Sequence, residues 1–379
     1  MTLPRTLAVL AEGERARLHV GAQLYVALSG ETVVDLGLGL ARAGRPMTPD
    51  SMMTWLSTSK IPTSLLFAKV WEDGLVALDD PVARHIPEFG VRGKEAVTLR
   101  QVWTHTCAML HVEDKLFPVR YRQSHAENIA LICGSGLDRG RTPGKNAGYQ
   151  TSVVSLLLAE VVARKRGCDF REFARESLFR PLGMNNSWLG MPQSALATCA
   201  DRLGKTFDTS GSEPKPDGSF APDEPHQLTH VMPGGNGRGP MRELARVLEL
   251  MRRGGELDGF RFLSPQTIDA MTARHRCGLV DASWNGQILD WGLGLTLDSR
   301  IHYGGGTHLY GYGPYASPRT FGHSGFRSTL AMCDPDAALV VACSWNGMVA
   351  DDEIHSARQN ALCAAIYEDL GLAWRTSPR

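Results

Sequence analysis

Apolar and polar positions along the chain change period in a way that divides it into three stretches. In the first, residues 7–18 repeat apolar positions at helical spacing and read as an amphipathic helix. Gly21–Leu28 and Thr32–Leu36 then flank the polar turn Ser29-Gly30-Glu31, which is a β-hairpin signal. A helix follows through Ser64–Trp71 to Glu72-Asp73-Gly74. Pro62 fixes where it starts. A proline is tolerated only where its missing N–H belongs to the first unsatisfied turn, so the helix should open near Ser57 or Thr58.

From Thr98 to about residue 190 the pattern is helical, with helices expected near 98–105, 124–133, 151–165 and 169–179. Residues 191–239 are polar and rich in Pro and Gly, and read as a long loop or lid. A helix follows at Met241–Arg253, and then strands return at Trp291–Leu297, Ser328–Cys333 and Ala338–Ser344, before a last helix at about 352–369. Strands at both ends with helices between predict an α/β fold of the α+β type. Its antiparallel sheet, flanked by helices, is built from residues 1–90 and 240–379, and an all-helical subdomain, 91–239, is inserted in it. The active cleft is expected at their boundary.

Composition narrows the function. The 379 residues carry 40 Lys+Arg and 40 Asp+Glu, so no net field points to nucleic acid or an anionic membrane. Hydrophobic residues make up 43% without the uninterrupted apolar run, about 18 residues, that a membrane span needs. The first twenty residues hold Arg5, Glu12, Glu14, Arg15 and Arg17 and no signal-peptide apolar core, which sets the expectation of a cytoplasmic protein. The 8 cysteines are scattered without a C-x-x-C pair, so neither a zinc site nor a disulfide framework is expected.

Ser57 and Lys60 carry the candidate chemistry. Three residues apart on a helix, they share a face at roughly 5–6 Å between Cβ atoms. A serine hydroxyl is a weak nucleophile until a base takes its proton, and a lysine can be that base if burial keeps it neutral. S-x-x-K alone is common on solvated surface helices. The apolar run behind it buries this one. Other candidates are weaker. Gly322-His323-Ser324-Gly325-Phe326 lacks the final glycine of a G-x-S-x-G elbow, which leaves Ser324 the poorer nucleophile. Ser59 points off the Lys60 face. His226 and His230 have i,i+4 spacing but no third ligand, so no metal is expected. His105 reads as a cap or internal bond of the helical region. Gly234–Gly239 lacks a preceding strand and a P-loop lysine, so it is no phosphate cradle.

Taken in order, Ser57-x-x-Lys60, Glu72-Asp73-Gly74, Leu78-Asp79-Asp80-Pro81-Val82, Thr98-Leu99-Arg100, Thr104-His105-Thr106, Pro181-Leu182-Gly183-Met184 and Phe321–Phe326 resemble the serine β-lactamase and penicillin-recognising superfamily. Within it the chain is most similar to family VIII carboxylesterases and lovastatin-type acyltransferases. The resemblance implies Ser57 as acylated nucleophile, Lys60 as its proton acceptor, and an oxyanion hole from the backbone N–H groups of Ser57 and Phe326. It places the family's third motif on His323-Ser324-Gly325 and its Y-x-N motif on Tyr149-Gln150-Thr151, with Thr151 replacing asparagine. A rival register, which sets Asn146-x-Gly148-Tyr149 on the family's downstream N-x-G-Y, would put Gly144 at the catalytic tyrosine. The apolar run Val153–Val162 and the turn near Gly167 favour Tyr149.

The expectation is therefore an enzyme that acts on a small-molecule ester or acyl donor through a Ser57 acyl-enzyme, without a cofactor. The alternatives are a β-lactamase or D-Ala-D-Ala carboxypeptidase, and a non-catalytic ligand-binding relative. Tyr303–Tyr315 and the 191–239 loop are expected to line the pocket. His323, where the β-lactamases have lysine, is expected to titrate near neutrality and to make a preference for neutral over anionic esters narrow as pH falls.

Overall fold

The computed structural model describes residues 2–216, 223–284 and 286–373. Its centre is an antiparallel seven-stranded sheet. In chain order the strands are β1 (Gly21–Leu28), β2 (Glu31–Arg42), β3 (Arg45–Pro46), β4 (Thr296–Leu297), β5 (Phe321–Gly325), β6 (Thr329–Asp334) and β7 (Leu339–Trp345). They lie in the order β4-β5-β6-β7-β1-β2-β3, so N- and C-terminal strands meet where β1 pairs with β7, Ala22 opposite Trp345 and Leu28 opposite Leu339.

Both faces of this sheet are covered, so its middle strands carry apolar residues at successive positions. On β7, Leu339, Val341, Cys343 and Trp345 face one way and pack with Leu3, Leu10, Leu362 and Ile366 of the terminal helices Pro4–Arg15 and Asp352–Asp369. Val340 and Ala342 face the other way, into the cluster that holds the helices Lys60–Glu72, Val153–Arg166 and Met241–Arg252. That cluster runs without a break from the sheet into the helical region, so the two share one core.

Local signals set most helix ends. Thr98 and Ser124 close capping boxes with Gln101 and Glu127, Asp169 and Asp351 cap their helices, and Gly167 ends Val153–Arg166 in the left-handed conformation at φ +66°. The first helix runs Pro4–Arg15 instead of 7–18, because Pro4 suits the opening turn and Arg17 at φ +57° stops it. The strand expected over Trp291–Leu297 shrinks to Thr296–Leu297, because Gly294 at φ +72° breaks the extended run. Helices Leu110–Leu116 and Pro265–Thr272 were not expected.

The 191–239 stretch is more structured than a loop. It holds the helix Gln193–Cys199, and its strand Gly237–Gly239 bridges Met53–Thr54 and Trp188–Leu189. Residues 217–222 of that stretch lie outside the described residues. Among the described residues, no helix is long and apolar enough to cross a membrane.

Candidate active site

Ser57 lies in a single 3₁₀ turn, Leu56–Ser59, that runs into the α-helix Lys60–Glu72. The helical run thus opens where Pro62 required, but through a tighter turn. In 3₁₀ geometry residues i and i+3 eclipse, which stacks Lys60 over Ser57 more closely than an α-turn would. The turn is held from three sides. The Trp55 carbonyl accepts from Thr58 N–H (3.1 Å), Thr58 Oγ1 (2.7 Å) and Thr329 Oγ1 on β6 (2.8 Å). Leu56 sits at φ +47°, a conformation that costs energy for a branched side chain and persists only because its neighbours enforce it.

Lys60 Nζ is 3.3 Å from Ser57 Oγ and donates to the Gly234 carbonyl at 2.7 Å. The amine is only 4% exposed, and burial lowers its pKa from 10.5 to about 7, with Glu113 opposing that shift and Arg120 adding to it. The helix behind it is buried on nearly every side from Lys60 to Val70, which is why the ammonium finds so little water there. Gly234 must be glycine for this contact, since a Cβ there would fall 2.9 Å from Lys60 Nζ and 2.4 Å from Ser155 Oγ.

The Tyr149 hydroxyl donates to Ser57 Oγ at 2.8 Å, and the Lys60 amine lies 5.1 Å from the centroid of the Tyr149 ring. Burial pushes its pKa well above that of an ordinary tyrosine, so it stays protonated. It reaches Ser57 because a separate loop grips its backbone. Tyr149 N–H donates to Ser283 Oγ (2.8 Å) and Asp281 Oδ1 (3.2 Å), and Asp281 is paired in turn with Arg276 at 2.6 Å, both side chains fully buried. Its ring stacks on Trp284 at 4.8 Å and packs against His105 at 4.8 Å. His105 Nδ1 accepts the Gln150 N–H at 3.1 Å, the expected bond within the helical region, and so holds the tyrosine segment. Of the two registers, the structure brings Tyr149 to Ser57, while Gly144 lies beside Gln101.

The third wall is the end of β5. A Cβ on Gly325 would fall 2.9 Å from both Leu56 Cβ and the Trp55 carbonyl oxygen, so the glycine lets the strand end close against the Ser57 turn. Ser57 and Phe326 both line the cavity. Ser324 Oγ donates to Gln359 (3.2 Å) and, among the described residues, hydrogen-bonds to no base. His323 is 1% exposed, donates from Nδ1 to the Ser324 carbonyl at 2.7 Å, and burial with nearby Lys60 lowers its pKa to about 3. The expectation that it titrates near neutrality is therefore corrected. The ring is neutral across the physiological range.

These groups open on a cavity of about 480 Å³. Thr151 lines it, as do Tyr310, Met232 and Gly235 from the segments expected at the pocket, but Tyr303 does not. Much of the wall comes from segments that the pattern had not marked, namely Leu110–Tyr121 and Trp284. Two tryptophans and two aspartates in the otherwise unpatterned 281–291 stretch were the available signal.

Ser59 is structural, accepting the Gly237 N–H at 3.0 Å. His230 faces Asn128 at 3.4 Å, and His226 joins no ligand cluster among the described residues. Cys277, Asp290 and His302 form one grouping of metal-donor type away from the cavity. The Asp290 oxygens there are already engaged by Arg274 (3.0 Å), the Gly278 N–H (3.0 Å) and His302 (2.9 Å).

The model of the family described as Beta-lactamase matches residues 9–365. The esterase/beta-lactamase LipL of Mycobacterium tuberculosis is 28% identical over 360 residues, covering 87% of this chain and 77% of LipL. Esterase EstB of Burkholderia gladioli is 32% identical over 197 residues, 47% of this chain and 49% of EstB. Among solved structures, a family VIII carboxylesterase is similar with a TM-score of 0.79 at 25% sequence identity, covering 97% of each chain. A match over nearly its whole length places this chain in the Beta-lactamase family, as a β-lactamase-like serine hydrolase.

Proposed function

We propose that the protein cleaves carboxylic esters through an acyl-enzyme on Ser57, releasing the acyl group to water or to a second alcohol. The observation that carries this reading is the convergence on Ser57 Oγ of the Lys60 amine at 3.3 Å and the Tyr149 hydroxyl at 2.8 Å. With a pKa of about 7, Lys60 is substantially neutral at neutral pH and can act as the base. Its remaining protons keep the bond to Gly234 while its lone pair faces Ser57.

Ser57 Oγ attacks the ester carbonyl as its proton passes to Lys60. The negative oxygen of the tetrahedral intermediate is held by the Ser57 and Phe326 N–H groups. The proton then moves from Lys60 through the Tyr149 hydroxyl to the departing alkoxide, which leaves as the alcohol. Water or an alcohol enters at the same place, gives its proton to Lys60, and releases the acyl group as acid or new ester. Tyr149, held protonated by burial, is a relay and not the base.

Esters are favoured over β-lactams by two substitutions in the cavity. Thr151 cannot supply the two amide donors and the carbonyl of an asparagine. His323 is neutral where the β-lactamases carry a lysine cation beside the substrate carboxylate. LipL is named for both activities, so weak β-lactam turnover is the second reading. Cytoplasmic residence is retained as part of the proposal. The test is turnover of p-nitrophenyl esters of rising chain length beside nitrocefin, with intact-mass detection of a fluorophosphonate adduct. Esters cleaved well and nitrocefin poorly, with one adduct on Ser57, is the expected result. An enzyme that takes up no probe and cleaves neither would be a ligand-binding relative.

A further inference from the structure

We propose that Arg120 anchors an anionic group of the substrate, so that the preferred esters carry a carboxylate on one limb; this rests on the esterase reading above. Arg120 lines the same cavity as Ser57 and is only 8% exposed. Its guanidinium has neutral partners. It donates to the Phe117 carbonyl, lies 3.4 Å from the centroid of the Phe117 ring and 4.9 Å from that of Tyr121, and interacts with the Tyr121 hydroxyl. Among the described residues no carboxylate pairs with it.

The other buried guanidinium groups show how unusual this is. Arg276 is paired with Asp281 and Arg238 with Asp223, each pair at most 4% exposed. Arg358 has no carboxylate, but its donors are taken up by the carbonyls of Leu18, Arg327 and Gly347. A cation this buried, with no carboxylate in ion-pair contact, is costly unless something from outside completes it.

Among the described residues three carboxylates line the cavity, and none of them forms an ion pair with Arg120. Glu113 Oε2 accepts the N–H groups of Ser152 (2.8 Å) and Val153 (3.0 Å), capping the helix that follows, while its Oε1 has no partner among the described residues and its charge acts on Lys60 and Arg120 without an ion-pair contact. Asp352 holds Arg327 (2.7 Å) and Tyr310 (2.9 Å). Asp114 is exposed at the rim. His323 is neutral and Lys60 loses its charge as pH rises through about 7, which leaves Arg120 as the cation that persists above that pH among the described residues lining this cavity. Its planar fork suits a carboxylate, and the ring of Phe117 beneath it leaves an apolar path for the chain that links carboxylate to ester.

The experiment compares p-nitrophenyl hexanoate with mono-p-nitrophenyl adipate, which differ by one terminal carboxylate. The ratio of kcat/KM for the anionic and the neutral ester is measured in wild type, Arg120→Gln and Arg120→Lys. Both esters depend on the same Lys60, so any change in its titration cancels from the ratio. We expect Arg120→Gln to lower the ratio about tenfold or more, chiefly through KM for the adipate, as loss of a charge-assisted pair requires. Arg120→Lys keeps the charge without the fork and should lower it less. If Arg120→Gln no longer takes up a fluorophosphonate on Ser57, the lysine variant decides. An unchanged ratio with ester turnover intact overturns the anion site alone. Failure of wild type to cleave either ester removes the esterase reading, and the inference with it.

Discussion

The Lys60 amine donates to the Gly234 carbonyl at 2.7 Å while standing 3.3 Å from Ser57 Oγ. The shorter bond fixes one proton on the far side of the nitrogen, so deprotonation leaves the lone pair toward the serine. The rate of neutral-ester cleavage should therefore rise with pH through an inflection near 7, where Lys60 loses its proton. Glu113 favours the charged amine, so Glu113→Gln should move the inflection down by about half a unit. A glutamine can still accept the Ser152 and Val153 N–H groups, which separates this effect from unfolding. An inflection that stays in place in the variant would remove Glu113 from the electrostatics of the base.

The same shift has a stability consequence of known sign. Lys60 binds its proton more weakly folded than unfolded, so the penalty is full below pH 7 and relieved as pH rises toward 10.5. Lys60→Met should stabilise the fold near pH 7, by on the order of 2–3 kcal/mol after the lost bond to Gly234 is counted, and so raise Tm. The gain should shrink toward pH 10, and turnover should be lost. Thermal melts across that range check it.

Ser57→Ala should abolish turnover and covalent labelling while costing about 1 kcal/mol or less, the loss of an acceptor for the Tyr149 hydroxyl. An adduct that persists in the alanine variant would place the nucleophile elsewhere.

Thr151→Asn should raise nitrocefin turnover relative to ester turnover, since it restores the amide donors and carbonyl to the cavity wall. A ratio that stays the same would deny Thr151 a part in substrate selection.

Asp281→Ala strands Arg276 in a fully buried site and releases the Tyr149 N–H from one of its two acceptors. It should cost about 3–5 kcal/mol in a denaturant melt. Any protein that still folds should lose kcat more than KM, because Tyr149 would no longer be held at Ser57.

For a neutral and an anionic ester, the ratio of kcat/KM should be flat between pH 5.5 and 8.5. His323 would drive a change only if it titrated there, and burial has moved its pKa to about 3. A ratio that swings with an inflection near 6.5 would mean that the ring is open to water.

The sequence by itself determined the parts that rest on short-range rules. Pro62 located the opening of the Ser57 helix, the apolar positions behind it implied a buried lysine, and caps such as Thr98, Ser124 and Asp351 marked helix starts within a residue or two. The apolar runs of β1, β6 and β7 were legible because a strand between two packed layers must be apolar throughout. Tertiary structure decided what depends on partners far apart in the chain. Tyr149 meets Ser57 because Asp281 and Ser283, more than a hundred residues later, hold its backbone, and no local spacing encodes that. His323 looked like a neutral-pH switch because its unperturbed pKa is one. Its pKa in the fold is set by desolvation, which is a property of the packed surroundings and not of the residue type. Arg120 likewise gained its meaning from the fold, which buries it at the cavity with no carboxylate in ion-pair contact among the described residues, and only the packed structure fixes which side chains are neighbours.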